Sequence, residues 1–523
     1  EDCTGDKVRI GIPVEPGENQ PLVAATPDTV GKLIKLGYDV EVQAGAGEDA
    51  AYPDALYREA GASIVGEEVW EADIVTTLDT PPKAKRDLMR SGATLICRMA
   101  PGRNEELINE LANRGITGLA MDAVPRISRA QSMDVLSSMA NIAGYRAVIE
   151  AANAFGRLFT GQVTAAGKVP PAKVYVIGAG VAGLAAIGTA NSMGAIVKAT
   201  DLRVEAGEQV ESMGAEFVAI QEEAEKSEDG YAKEMTQDQA ELAAKIYSQQ
   251  SAEADIVITT ANIPGRTSPV LLTEEDVANM RPGSVVVDLA AANGGNCALT
   301  KPGEVVVTDN GVTIIGYTDL AGRLPGQASQ LFGQNIVNLF KLITPEKDGQ
   351  RVLDLDDEII RTITVTLNDG QETSILWPPP PVSVSVAPKQ PAQEAQAAEE
   401  PEKQAFMGGP FAKIGLAIAI LLGAAIVLVS PLGMSGNFVV LTLAIVLGFY
   451  VISAVTPTLH TPLMSETNAI SGIVLVGAIL QVNSPNIIVT VLAFLAIVVS
   501  SVNVFGGFAI TDRMLGMFVK EDA

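Results

Sequence analysis

The chain has a single histidine, His460, in 523 residues. Histidine is the side chain whose ordinary pKa lies nearest neutrality, so chemistry built on a histidine base is excluded from every segment other than the one holding His460. Cysteine is nearly as scarce. Cys3, Cys97 and Cys297 lie far apart with no metal-ligand spacing, which argues against a zinc site and for a reducing compartment. Basic charge is thin: 36 Lys and Arg stand against 62 Asp and Glu, a net −26 carried almost wholly by roughly the first four hundred residues. Without a basic stripe to neutralise phosphates, nucleic-acid binding is excluded, and the acidity serves solubility. The opening Glu1-Asp2-Cys3-Thr4-Gly5 shows neither an apolar signal core nor an Arg/Ser-rich transit pattern.

Apolar sequence is abundant at the other end. From Ile414 to Thr511 the one charged side chain is Glu466. A bilayer offers no partner for exposed backbone, so such stretches cross it as helices. Four spans are expected: Ile414–Ser430, Phe438–Ala454, Ala469–Val482 and Ile487–Phe508, broken at Pro431-Leu432-Gly433, Thr456-Pro457 and Asn483-Ser484-Pro485. An even count returns the chain to its starting side. Lys413, Arg513 and Lys520 make that side cytoplasmic.

Strand-like and helical runs alternate through the remainder. Arg9–Val14, Tyr38–Val42, Asp73–Leu78, Thr94–Arg98 and Thr117–Met121 read as strands. Thr26–Leu36 and Ala50–Ala60 read as helices, Pro27 lying just inside a Thr26 cap. A long helix, Asp134–Phe155, leads to a second alternating unit. It comprises strands Lys173–Ile177, Ala195–Thr200, Phe217–Ile220, Ile256–Thr260, Ser284–Asp288 and Val312–Ile315, with a helix Gly178–Met193. The chain then returns through a helix, Gln330–Leu342, and a hairpin, Ile359–Val365 with Glu372–Trp377, which complete the first unit. Pro378 to Pro381 and the Ala/Glu/Gln/Pro-rich Gln390–Gln404 form a linker. The expected fold is α/β: two Rossmann-like, doubly wound parallel-sheet domains with a central cleft, followed by a four-helix all-α transmembrane block. The expected boundaries are 1–133 with 317–377 for the first domain, 134–316 for the second, 378–410 for the linker and 411–523 for the membrane domain.

Gly178-Ala179-Gly180-Val181-Ala182-Gly183 follows a strand and opens a helix, and Asp201 ends the next strand about twenty residues on. The glycines permit a tight turn, close approach to a pyrophosphate and close helix–strand packing, with the helix N-terminus facing the phosphates. Asp201 is placed to accept from a ribose 2′-hydroxyl and to repel a 2′-phosphate, favouring NAD(H); Arg203 beside it softens that preference. Gly45-Ala46-Gly47 precedes Glu48 and Asp49, which would repel a phosphate, and reads as a structural turn. The loop Ala291–Asn296 lies where such folds bind nicotinamide, and its contact with the ring is left open. Pro125–Asp134 packs Arg126, Arg129, Gln131, Ser128, Ser132 and Asp134 into one polar loop at the cleft, with helix capping by Asp134 or Ser132 as the competing reading.

Pro125–Ser138, Leu158–Gly183, Gly230–Met235 and Val286–Cys297, with Leu459–Ser465 and Thr467–Gly472, resemble the α subunit of proton-translocating NAD(P) transhydrogenase, along essentially the whole chain. The resemblance implies NAD(H) in the second unit and hydride transfer to NADP(H) on a partner β subunit (the Si-to-Re type), coupled to proton movement in an α2β2 assembly. It places Arg126, Gln131, Asp134 and Ser137 around the nicotinamide and its ribose, Gln131 bridging toward the second nucleotide. Tyr231 falls on a loop that closes over the cofactor. The implied membrane is a bacterial inner membrane or a thylakoid, with both termini cytoplasmic. His460, Glu466, Asn468, Ser471, Ser500 and Asn503 are the polar candidates within the apolar block, and Gly472, Gly477, Gly506 and Gly507 suggest close helix contacts. The Arg9–Pro13 opening also looks like alanine dehydrogenase, but that family relies on a cleft histidine that this chain lacks. An NAD-sensing channel would need ionisable residues in its own spans, which are nearly absent.

Overall fold

The computed structural model describes residues 7–17, 20–220, 237–262, 267–379, 472 and 475–518. The chain divides into two compact units, Glu1–Ala392 and Gln393–Ala523. The first contains two large sheets. In the first sheet β1 (Arg9–Ile12), β2 (Asp39–Gln43), β3 (Ser63–Val65), β4 (Ile74–Asp79), β5 (Thr94–Arg98) and β6 (Thr117–Ala120) are parallel. A hairpin, β7 (Gln162–Thr164) and β8 (Gly167–Val169), precedes the second sheet. That sheet holds β9 (Lys173–Ile177), β10 (Ile196–Thr200), β11 (Glu216–Phe217), β12 (Ile256–Thr259), β13 (Val285–Asp288), β14 (Val305–Val307) and β15 (Thr313–Ile315). The last strands, β16 (Thr364–Asn368) and β17 (Thr373–Ile375), extend the first sheet antiparallel beside β6.

Strand order in the first sheet is β17-β16-β6-β5-β4-β1-β2-β3, and in the second β11-β10-β9-β12-β13-β15-β14. The parallel strands of each sheet reverse order once, between β1 and β4 and between β9 and β12, and β14 is added antiparallel at the edge of the second. Reversal points open a crevice at the carboxyl ends of the strands, where open α/β sheets take ligands. Runs such as Val174–Ile177 and Val285–Val287 are buried on both faces, as parallel strands under helices must be.

The helix Pro325–Ile343 belongs to the first core. Its Phe332, Ile336 and Phe340 pack with Ile10, Val30 and Tyr38. Tyr38 stacks edge-on against Phe340 and shares a 2.6 Å hydrogen bond with the Thr344 hydroxyl. The long helix Val135–Phe155 lies against the helix Val181–Ser192, and Gly144 makes the approach possible. A Cβ on Gly144 would stand 2.0 Å from the Ala182 carbonyl oxygen.

The expected hairpin strand Ile359–Val365 is mostly helix: Glu358–Ile363 is helical and β16 begins at Thr364. Asp357 caps it, its Oδ1 accepting from Ile359 N at 2.8 Å and Ile360 N at 3.3 Å. A β-branched run misleads because the cap decides the start. The expected helix Ala50–Ala60 is split into a short 3-10 turn, Glu48–Ala50, and a helix Asp54–Glu59, since Pro53 interrupts the hydrogen-bond ladder. β3, β14 and the β7–β8 hairpin carry too few residues to register as periodic runs.

In the second unit the last helix runs Ile487–Phe518, beyond the expected end at Phe508, because no proline follows to stop it. Its side chains are described as far as Val502. Over the residues whose side chains are described, no helix is long and apolar enough to cross a membrane. The first two expected spans, with His460, Glu466, Asn468 and Ser471, lie outside the described residues, as do the linker from 380 onward, the start of the third span and the side chains of Asn503, Gly506 and Gly507.

Replacing Gly144 with Ala is expected to destabilise the folded chain by about 1–3 kcal/mol, because the partner atom is backbone and cannot rotate away. Denaturant unfolding of the two proteins measures this. An unchanged midpoint would show that the two helices are free to separate.

Candidate functional site

The glycine turn sits at the reversal point of the second sheet. Gly178 has a φ of +100°, and a Cβ there would meet the Thr260 hydroxyl at 2.4 Å. The Thr260 hydroxyl is anchored, donating to the carbonyls of Ile177 and Gly178 at 3.2 and 3.0 Å. On Gly183 a Cβ would stand 1.8 Å from the Gly178 carbonyl oxygen. The turn is therefore closed at two points by contacts that only glycine allows. Gly180, at the N-cap of Val181–Ser192, has nothing within 4 Å of where its Cβ would be. With Gly180 and Val181 exposed, the start of that helix is open on this side, the arrangement that suits a pyrophosphate.

Asp201 follows β10 and reaches back to this turn. Its Oδ2 accepts from Ala179 N at 2.7 Å, and its Oδ1 accepts from Arg203 N at 2.8 Å and Arg203 Nε at 3.0 Å. Arg203 Nη2 adds bonds to Asp201 Oδ2 and the Ala179 carbonyl. A carboxylate offers about four acceptor sites, and here all four are engaged. The side chain is only 9% exposed.

Two further loops complete the crevice. Asp288, fully buried at the end of β13, accepts from Thr259 Oγ1 and Ala290 N at one oxygen. Its other oxygen accepts from Asn296 N at 2.7 Å, Cys297 N at 3.1 Å and Thr300 Oγ1 at 2.6 Å. Asn296 then bonds both backbone groups of Ala261 and the Pro269 carbonyl. Asn293 Nδ2 donates to Asn262 Oδ1 at 2.9 Å. The loop Ala291–Asn296 is thus tied to the segment after β12, one strand from the glycine turn. Sequence reading named Asn296 within its loop but missed Asp288 and Thr260 as site residues. Their signal is a polar side chain where an apolar strand ends.

The polar loop is a short helical turn, Ser128–Met133, with Arg126, Ser128, Arg129, Gln131 and Ser132 exposed. Asp134 is the N-cap of Val135–Phe155: Oδ1 accepts from Ser137 N at 2.9 Å and Oδ2 from Ser137 Oγ at 2.5 Å. The capping reading of Asp134 is realised, and it also locks Ser137. Arg129 Nη1 pairs with Asp357 at 2.6 Å, and the Ser132 carbonyl accepts from Asn335 and Asn338. Ten residues after Asp134, about 15 Å along the helix, Gly144 meets Ala182 of the glycine motif. One rigid helix therefore links the polar loop to the nucleotide turn. Tyr231 lies outside the described residues.

The reversal point of the first sheet holds a buried carboxyl that sequence reading also missed. Glu15 is 6% exposed, and its Oε1 accepts from Leu78 N at 2.8 Å. Asp79 beside it pairs with Arg98 at 2.7 Å. Burial pushes the Glu15 carboxyl well above its ordinary range, and Asp79 adds to the rise. The Leu78 amide and Arg98 oppose it.

Two such sheets, with a glycine turn, a helix N-terminus and a strand-end carboxylate at one reversal point, define a dehydrogenase-type, dinucleotide-binding protein. Comparison with known proteins narrows this. Residues 11–143 match the family described as alanine dehydrogenase/PNT, N-terminal domain, and 147–374 its C-terminal domain. Residues 437–520 match the 4TM region of pyridine nucleotide transhydrogenase. NAD(P) transhydrogenase subunit alpha of Haemophilus influenzae is 52% identical over 516 residues, 98% of this chain and 99% of that protein. The subunit alpha of Cereibacter sphaeroides is 48% identical over 532 residues, 98% and 100% of the two chains. A crystal structure of transhydrogenase from Sinorhizobium meliloti superposes with a TM-score of 0.62 at 43% identity, covering 69% of this chain and 99% of that one. The chain belongs to the family of NAD(P) transhydrogenase α subunits, oxidoreductases with a membrane-associated region.

Because Glu15 is protonated more readily in the folded chain, its contribution to stability is fully present below the ordinary glutamate range. That contribution is lost as pH rises through its raised value. Glu15→Gln, which keeps an acceptor for Leu78 N, is expected to match the parent at acid pH and exceed it at alkaline pH. Thermal unfolding across pH would show a constant gap if Glu15 were not the titrating group.

Proposed function

We propose that the second sheet binds NAD(H) and that this chain presents the dihydronicotinamide for hydride transfer to NADP(H) held by a β subunit, coupled to proton translocation. The observation that carries this reading is the glycine turn closed on Thr260 and Gly178, with an open Gly180 at a helix N-terminus. When bound, the reduced nicotinamide supplies the hydride. No acid or base on the protein is then required, only position and exclusion of water.

Gly178 to Gly183 (with Ala179, Val181 and Ala182 between the glycines) hold the pyrophosphate through the helix amides. Asp201 accepts from the adenosine ribose, and Arg203 must first swing off it, because every acceptor site of Asp201 is engaged. Arg126, Gln131, Asp134 and Ser137 surround the nicotinamide and its ribose. Asp134 and Ser137 are held by each other at the helix cap, which leaves exposed Gln131 as the side chain free to reach toward the second nucleotide. Tyr231 closes over the bound cofactor.

The matched 4TM region supports membrane attachment. In this reading four spans lie within 411–523, 378–410 is the linker, and the soluble domains and both termini are cytoplasmic, in a bacterial inner membrane or a thylakoid. The domains divide at 1–133 with 317–377 and at 134–316. Dimerisation through the soluble part, giving α2β2, draws support from the β7–β8 hairpin, whose Val163 is 81% exposed.

Two measurements test this. NADH should bind more tightly than NADPH, and Arg203→Ala should widen the preference about five- to tenfold by leaving the Asp201 charge uncompensated. Equal affinities in both proteins would remove Asp201 from the ribose. In vesicles carrying both subunits, Gln131→Asn should slow hydride transfer by about ten- to a hundredfold while changing NADH affinity by less than about twofold. A loss of affinity alone would contradict the bridging role.

A further inference from the structure

At the amino-terminal edge of the first sheet, at the end away from its own reversal-point crevice, lies an open cavity of about 400 Å³. Val8, Leu353 and Leu367 line part of it, and Asp73, Gln350 and Arg351 make the lining as a whole more polar than apolar. Open α/β sheets bind their nucleotides at carboxyl ends, so this cavity has no part in the reading above.

Arg351 is presented by a rigid loop. Gly349, with a φ of +73°, lies backbone against backbone with Gly37, and its amide donates to the Leu36 carbonyl at 2.9 Å. On the other side of Arg351, Val352 N donates to the Ile343 carbonyl at 2.7 Å. The Tyr38–Thr344 hydroxyl pair fixes the start of the same loop. The backbone is therefore pinned on both sides of Arg351.

The guanidinium has five donors, and among the described residues it is in no hydrogen bond or ion pair; the groups that act on it electrostatically are Tyr38 and Asp73. Asp73, the acidic group that faces it, is already committed: Oδ2 accepts from Arg9 N at 2.8 Å, and Oδ1 takes Arg90. Burial lowers the Arg351 pKa from its ordinary value, as expected of a charge that has shed water without an equivalent partner. Arginine in a half-buried setting matches a carboxylate through two parallel bonds.

We propose that this cavity is a binding site for a small monocarboxylate, its carboxylate paired with Arg351 and its short apolar body against Val8, Leu353 and Leu367. Asp73 sets the charge limit. Its negative charge in the same lining disfavours a phosphate dianion more than a singly charged carboxylate. Val8, Leu353 and Leu367 give a short hydrocarbon body a contact that a bare anion cannot use.

Ligand-observed NMR on the full chain in lipid nanodiscs tests this, with butyrate as probe and butan-1-ol and inorganic phosphate as references. Butyrate should bind at least about tenfold more tightly than either reference. Arg351→Gln should lose about tenfold or more in butyrate affinity with NADH affinity unchanged, and Arg351→Lys, which keeps the charge but not the fork, should fall between. Phosphate equal to or tighter than butyrate, or butanol equal to it, overturns the proposal. So does full butyrate affinity in Arg351→Gln. Should that variant lose NADH binding through misfolding, the ligand order on the unsubstituted chain decides alone. None of these readouts depends on where NADH binds.

Discussion

The packing of backbone against backbone at the glycine motif is the constraint on which the rest depends. Gly183 lets the fingerprint helix touch the carbonyl of Gly178, and Gly144 lets the long helix touch the carbonyl of Ala182. Neither contact tolerates a methyl group. Together they fix where the helix N-terminus points and how the helix leading from the polar loop meets it. A dipole at a helix end acts only over its first turn, so its aim has to be set by packing of this kind.

Polar side chains at strand ends then hold the loops around that fixed point. Asp201 pulls the turn toward β10, and Asp288 gathers the loop after β13 through five donors. Asn296 ties that loop to the segment after β12. A buried carboxylate without partners would cost several kcal/mol. Fully bonded, it becomes a rigid staple instead, and the loops that it organises need no regular structure of their own. The absence of a histidine from this crevice is consistent with chemistry that asks the protein for placement and not for proton transfer.

The two sheets share an architecture but carry different strand-end chemistry. The second offers glycine and a helix N-terminus; the first offers Glu15, Asp79 and Arg98 at the matching reversal point. Among the described residues, nothing at that first crevice provides the close backbone approach that a pyrophosphate needs. Similar folds thus separate in function through a handful of residues where strands end.

Alternation of apolar runs was enough to read the parallel strands, the long helix and the glycine turn from the chain, because each follows from local periodicity or from a residue type with one backbone habit. The apolar block declared itself for the same reason. Local pattern failed at Ile359–Val365, where the Asp357 cap outweighs β-branching, and at β3 and β14, which are too short to show a period. It also could not reveal that Asp201 is saturated by Arg203, that Asp288 organises a loop, or that Glu15 is buried beside Leu78. Those facts depend on which distant segments meet. Only tertiary packing brings Gly349 against Gly37, or Gly144 against Ala182, and so decides which side chains are held, which are buried and which remain unpaired.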